Sequence, residues 1–385
     1  MSMGKYNNIS IGYDAKRIVR NNTGLGNYGR TLINALAEVS PELQLRLYAP
    51  DEGNERLRNE VTKANNISFV YPKNLRFRFQ KDLWRQAGIV NQLQQDRVQL
   101  YHGLSGELPK GIAASGIKSI VTIHDLIFLR HPEYYTFIDA FLYKRKFLHT
   151  CQEADRIVAI SQCTKRDILH YSDFPEERIN VVYQSCGTRF RDVVSNDFKA
   201  EIARKYQLPK RFLLFVGSIE ERKNLLLAVK ALLKLPQDIS IVAVGRKTKY
   251  TQKVEKFAQS HGIIPRLHFL HGISNAELPA IYQQAECFVY PSRYEGFGIP
   301  IIEAIQSGLP VVGCTGSCLE EAGGSANLYV DPDSETDFAA AVSALLVGND
   351  DRQRRIEESQ NYIKRFENGD VAQAMLTEYD KLLNL

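Results

Sequence analysis

Short runs rich in Val, Ile and Leu alternate along the chain with longer segments whose apolar residues recur every three or four positions, so strands and amphipathic helices are predicted in regular succession. In the first half the pattern predicts strands at Ile9–Asp14, Gln44–Tyr48, Ile67–Tyr71, Leu100–His102, Ser119–His124, Arg156–Ile160 and Asn180–Tyr183, with helices such as Tyr28–Val39 and Lys81–Gln95 between them. A second series predicts strands at Phe212–Gly217, Ile239–Gly245, Leu267–Leu270, Cys287–Tyr290, Leu309–Gly313 and Leu328–Val330, interleaved with helices at Leu225–Leu235, Gln252–His261 and Ala276–Glu286. Strands joined by helical crossovers run parallel, so the expected fold class is α/β, with two doubly wound parallel-sheet lobes facing a central cleft. The polar stretch Ser185–Pro209 separates the series, which gives domains at 1–187 and 188–370, and residues 371–385 read as an amphipathic helix that returns to the first lobe. Ligands of such sheets bind past the carboxyl ends of the strands.

A length of 385 residues suits two domains. No run approaches the roughly 18 apolar residues of a membrane span, and residues 1–8 are polar, so the chain is expected to be cytoplasmic, neither secreted nor integral to a membrane. Six scattered cysteines form no disulfide framework and read as reduced thiols. The net charge of +5 is too small to imply a nucleic-acid partner, but residues 1–150 hold 21 basic against 13 acidic side chains. Lys73, Arg76, Arg78, Lys81 and Arg85 interleave with Phe77, Phe79 and Trp84, and Lys144–Lys146 lie between Phe141 and Phe147. Two readings fit these segments: contact with the anionic inner face of a membrane, or a solvated helix face whose aromatics are core.

Three segments carry candidate chemistry. Thr23–Gly29 satisfies G-x-G-x-x-G, yet polar residues 16–23 separate it from the first strand and no acid stands at a second strand's end about 20 residues on, Asp51 coming late, so a dinucleotide site is disfavoured; close backbone approach to a ligand at a helix start and a structural glycine turn are the readings left. Phe215–Asn224 runs from a strand into a helix with Arg222 and Lys223 at the junction, and cations there oppose the helix dipole unless an anion such as a diphosphate joins them. Tyr290–Ala304 places Glu295 in a glycine-containing loop and Glu303 inside the helix begun by Pro300. A carboxylate accepts two sugar hydroxyls. The acidic Asp331-Pro332-Asp333 reads as a solvated turn, and Cys314 and Cys318 as packing residues, so neither metal nor cofactor is expected.

These segments resemble, in order and over about Ile11 to Pro332, the GT-B glycosyltransferases of family 4, which are retaining enzymes using nucleotide-sugar donors. Glu295 and Glu303 match that family's E-x7-E, Arg222–Asn224 its R-K-N, Thr23–Tyr28 its glycine loop, Val121–Leu126 its T-I-H-D-L and Ala154–Ser161 its A-D-R-I-V-x-x-S. The Cys314–Glu321 and Tyr101–Ser105 segments depart from the usual pattern, Glu320 standing where proline is common. The resemblance implies an acceptor-binding first lobe and a donor-binding second lobe. It implies His124, Glu295, Arg222 and Lys223 as catalytic, and Gly24, Gly26, Ser218, Ile273, Phe297, Gly298, Ile299 and Glu303 as further donor contacts; from the residues alone, His124 at a strand end reads either as a satisfied structural histidine or as an imidazole that the adjacent Asp125 orients. It points to mannose from GDP-mannose, or else a UDP-hexose, passing to a saccharide or lipid-linked saccharide acceptor in bacterial surface polysaccharide (lipopolysaccharide) synthesis. Loss of Arg222 or Lys223 is expected to abolish transfer with little change in melting temperature. An NAD-dependent oxidoreductase and a non-catalytic sugar-nucleotide binder are the rival readings.

Overall fold

The computed structural model describes residues 5–73 and 77–385; Arg76 of the first basic, aromatic segment lies outside them. The chain forms two compact units, one of residues up to Ser185 together with Phe366–Leu385, the other of Cys186–Arg365.

The first unit is built on seven parallel strands, β1 (Ser10–Asp14), β2 (Gln44–Tyr48), β3 (Ile67–Val70), β4 (Leu100–Gly103), β5 (Lys118–Ile123), β6 (Arg156–Ala159) and β7 (Ile179–Val181), in the order β3-β2-β1-β4-β5-β6-β7. Ile11 lies opposite Leu45 on β2 and Leu100 on β4, which fixes the register at the centre. β1 is buried along its whole length and β5 after its first residue, as expected of parallel strands covered on both faces. On one face, Leu32, Ile33 and Leu36 of the helix Gly24–Val39 share a core with Val371, Met375 and Tyr379 of the C-terminal helix Asn368–Leu383. That last helix is also held by polar bonds. Buried His102 bridges Tyr379 Oη (2.7 Å) and Thr122 Oγ1 (2.8 Å), and Glu378 accepts from Arg156 (3.0 Å) and Asn180 (2.8 Å).

Six parallel strands build the second unit: β8 (Phe212–Val216), β9 (Ser240–Val244), β10 (Leu267–Leu270), β11 (Cys287–Tyr290), β12 (Val311–Cys314) and β13 (Leu328–Val330), ordered β10-β9-β8-β11-β12-β13. Winding changes direction between β1 and β4 in the first sheet and between β8 and β11 in the second. At such points the loops on neighbouring strands diverge and leave room for a ligand.

Two doubly wound α/β units are thus present as the pattern of strands predicts, but several local expectations differ. The helix expected from Tyr28 starts at Gly24. The one expected at Lys81–Gln95 starts at Arg78 and has a π-helical segment at Trp84–Gly88. Polar residues 185–209, expected to be a separator, contain a helix at Asn196–Tyr206 and a fully buried Phe190 whose ring meets Tyr282 edge-on. The aromatics Phe77, Phe79 and Phe141 are exposed, which overturns their reading as core. None of the six cysteines is bridged, and among the described residues no helix is long and apolar enough to cross a membrane.

Candidate functional site

The switch point of the second sheet brings together residues more than 70 positions apart. After β8 the chain passes Gly217 and turns through the short helix Glu221–Lys223; after β11 it runs as a loop to Gly298. The Arg293 amide donates to the Arg222 carbonyl (2.8 Å) and Arg222 Nη1 to the Tyr294 carbonyl (2.6 Å), so the two loops are stitched side by side. Glu295 then receives both cations, with Arg222 Nη1 2.9 Å from Oε2 and Lys223 Nζ 2.7 Å from Oε1. Lys223 also donates to Tyr290 Oη (2.5 Å), and Arg222 pairs with Glu220 at 2.7 Å. The Glu295 side chain is only 12% exposed. Burial alone would raise its pKa, but Lys223 and Arg222 outweigh that and hold it at about 2. For the two cations burial favours the neutral form, and the Glu295 charge more than compensates, so both stay protonated. The result is a preorganised, desolvated pair of cations whose charge is balanced by carboxylates, suited to an incoming oxyanion.

Loop shape depends on Gly298. Its φ of +146° disfavours any side chain, and a Cβ would lie 3.1 Å from that of Ala322. Beneath the loop the Cys318 thiol donates to the carbonyls of Phe297 (2.6 Å) and Glu295 (3.1 Å), a more specific part than the packing role expected of it. Phe297 is buried, and Ile299 opens the helix Ile299–Gln306, whose start has no capping side chain. One turn in, Glu303 accepts from Tyr282 Oη (3.0 Å) and lies 3.7 Å from Arg189. Burial raises its pKa to about 7, with Arg189 and Tyr282 offsetting only part of the effect. The two glutamates of one motif therefore sit in opposite electrostatic settings.

Ser218 and Ile273 border a different part of this end of the sheet. Ile273, with Arg246, Lys247 and His271, lines a pocket of about 580 Å³ past β9 and β10. Ser218 follows Gly217, whose carbonyl approaches so closely that a Cβ on Gly245 would lie 1.9 Å from it.

In the first unit His124 follows β5. Its Nε2 lies 2.8 Å from the Leu104 carbonyl, which can only accept, so Nε2 carries the proton and Nδ1 accepts from Gln184 at 2.8 Å. Burial lowers its pKa to about 4, so the ring is neutral at pH 7. Asp125 does not orient the imidazole as expected; it accepts from the Ile127 amide. His124 lines a pocket of about 300 Å³ with Arg17, Asp125, Phe128, Tyr135 and Tyr143. The three aromatics meet edge-on at 5.5–6.4 Å.

The glycine segment proves to be helical. A Cβ on Gly26 would lie 1.9 Å from the Asn21 carbonyl and one on Gly29 2.8 Å from Ile18, so both serve the crossing of this helix over Lys16–Arg20. Only Gly24 is open, with nothing within 4 Å of a Cβ. No strand-to-helix turn for a pyrophosphate exists here, which removes the support for a dinucleotide enzyme. Asp331 and Asp333 engage a backbone amide and Arg293, and among the described residues no cluster of His, Cys, Asp or Glu is fit to hold a metal. Tyr290, Glu220, Gln184, Tyr282 and Arg189 are site partners that sequence reasoning passed over. Tyr290 alone carried a signal, as the last residue of a strand beside the motif.

Comparisons with known proteins agree with this arrangement. Residues 22–185 match the family model "Glycosyltransferase Family 4" and residues 198–362 the model "Glycosyl transferases group 1". The O-antigen chain mannosyltransferase B of Escherichia coli is 27% identical over 87% of this chain and 89% of its own length. Among solved structures, a glycosyltransferase from Rickettsia africae matches with a TM-score of 0.76 at 18% identity, over 98% of this chain and 99% of that one. HepE of Anabaena, solved with UDP and glucose, matches with a TM-score of 0.73 at 15% identity, over 97% of this chain and all of that one.

Proposed function

Because this chain is a glycosyltransferase, belonging to the family 4, group 1 enzymes, we propose that it moves mannose from GDP-mannose to a lipid-linked saccharide with retention of configuration, at the inner face of the membrane during surface polysaccharide synthesis. The observation that carries this reading is the buried Arg222–Lys223–Glu295 cluster at the switch point of the second sheet. A donor diphosphate takes the anion's place on Arg222 and Lys223, and frees the Glu295 carboxylate to accept hydroxyls of the hexose. Loop amides from Phe297 to Ile299 hold the hexose and phosphate, Glu303 the ribose, and the pocket lined by Ile273 the nucleoside. The second unit is thereby the donor unit and the first the acceptor unit. Mannose is favoured by the mannosyltransferase relative, and a nucleotide donor by the UDP in HepE.

With Glu295 taken up by hexose hydroxyls once the diphosphate holds the two cations, no carboxylate is assigned as nucleophile, which favours same-face attack. The bond from the anomeric carbon to diphosphate breaks as the acceptor oxygen bonds to that carbon, and the acceptor's proton passes to a diphosphate oxygen. Arg222 and Lys223 stabilise the charge that grows on the leaving group. Both ring nitrogens of neutral His124 are engaged by Leu104 and Gln184, so it is assigned no proton transfer and shapes the wall of its own pocket. With two fixed cations on the leaving group the reaction is assigned no metal or cofactor, so chelation by EDTA should leave turnover unchanged. Incubation with GDP-mannose or UDP-hexoses and an acceptor extract, followed by NMR of the new linkage, tests the reading. An inverted anomeric centre, or transfer from UDP-hexoses alone, refutes the corresponding part.

A further inference from the structure

Of the fifteen large apolar side chains exposed among the described residues, nine fall within 77–83 and 137–148. Phe77 and Phe79 stack on each other in solvent with ring centres 5.9 Å apart, and Phe79 is 68% exposed. On the helix Phe137–Glu153, Ile138, Phe141, Leu142 and Arg145 follow the i, i+3, i+4, i+7 spacing of one face, and all four are exposed. The helix is held instead through Phe147 and Thr150, which are buried.

The two segments are neighbours. Leu83, Arg145 and Leu148 line one groove of about 620 Å³, and Glu107 pairs with both Arg85 and Lys146. Around the apolar side chains stand Arg78, whose side chain is 88% exposed, Lys81, Lys144 and Arg145. The acids among them are already engaged, Asp82 with Lys16 and Arg78, and Asp139 with the Thr136 hydroxyl. Nine exposed large apolar side chains gathered in two neighbouring segments and rimmed by charge mark a contact surface. Its basic rim selects an anionic partner and opposes a second copy, which would bring the same charges face to face.

We infer that this face docks on an anionic phospholipid bilayer, with Phe79, Ile138 and Phe141 entering the headgroup boundary and Arg78, Lys144 and Arg145 meeting lipid phosphates. The inference rests on the lipid-linked acceptor reading and adds the surface and the lipid chemistry. The same helix carries Tyr143 and Phe147 into the pocket of His124, so docking sets that pocket close to the bilayer surface.

Co-sedimentation of the full chain with phosphatidylcholine vesicles, with and without phosphatidylglycerol, tests it. Binding is expected only with the anionic lipid and is expected to weaken with added salt. Each basic residue at such a surface contributes about fivefold in partitioning. Arg78→Gln, Lys144→Gln and Arg145→Gln together should therefore reduce binding at least tenfold, and so should Ile138→Ser with Phe141→Ser. Both variants should hydrolyse GDP-mannose at the wild-type rate. Wild-type protein that stays in the supernatant, variants that sediment as well as wild type, or a salt-resistant dimer by light scattering that the Ile138→Ser, Phe141→Ser variant abolishes would each overturn the inference. Vesicle binding without any hexose transfer would sink the functional reading and leave the docking surface standing.

Discussion

The Lys223 ammonium and the Arg222 guanidinium share one buried carboxylate, so removing either cation leaves the Glu295 charge under-compensated in a desolvated place. The expectation that these residues could be lost with little effect on melting is therefore revised. Lys223→Ala should cost about 3 kcal/mol, the low end for a broken buried pair because Arg222 remains, and lower transfer by about a hundredfold or more. Adding Glu295→Ala should restore part of the stability and none of the turnover, which urea denaturation beside a transfer assay would show. Glu303 makes the opposite prediction. Its folded pKa of about 7 exceeds the unfolded 4.5, so the unfolded chain ionises first and this group's contribution to stability falls as pH rises from 4.5 to 7. Glu303→Gln keeps an acceptor for Tyr282 and removes the charge, so it should gain up to about 3 kcal/mol on wild type between pH 5 and pH 8. Glu295, lowered to about 2, stabilises the fold above pH 4.5 and loses that contribution only as pH falls toward 2. Denaturation curves of the Glu303→Gln variant that run parallel to wild type at both pH values would refute the buried charge.

At the scale of elements, β2, β10, β11 and β13 begin and end as predicted although only β11 of the four is buried throughout, so what was legible was the alternation of short β-rich runs with breaks rather than burial. Helix starts were less legible. Gly24 to Asn27 read as a loop because glycine is a poor helix former, whereas Gly26, like Gly29 beyond it, is needed where one helix crosses another, a tertiary reason with no local signal. The same limit explains His124: its motif was visible, but its orienting partners Leu104 and Gln184 come from other elements, while the adjacent Asp125 was only adjacent. Two glycines in this helix give a test. Gly26→Ala should destabilise the first unit by 2 kcal/mol or so, since the new methyl meets a backbone carbonyl. Gly24→Ala should leave the melting temperature within a degree or so and affect ligand binding alone, if at all. Equal melting temperatures for the two variants would contradict the packing role.

Across the whole molecule, the charge asymmetry of the first 150 residues does not extend to a unit. Because residues 151–185 and Phe366–Leu385 both add more acidic than basic side chains, the first unit carries 26 basic and 23 acidic residues and the second 23 and 21. Net charge then distinguishes nothing between the units, and the useful positive charge is local: an exposed rim at Arg78, Lys144 and Arg145, and a buried pair at Arg222 and Lys223. Each location calls for a different anion, and the difference can be read on the intact chain. GDP-mannose at about a hundred times its dissociation constant should stabilise the protein by about 2.7 kcal/mol. Lys223→Ala should abolish that shift, because the diphosphate loses a desolvated cation, whereas the triple variant of Arg78, Lys144 and Arg145 should retain it in full. Added salt should weaken the vesicle contact far more than the nucleotide shift, since exposed charges are screened and buried ones are not. Loss of the nucleotide shift in the rim variant would mean that the two anion sites are not separate, and the assignment of donor and membrane to different units would fall.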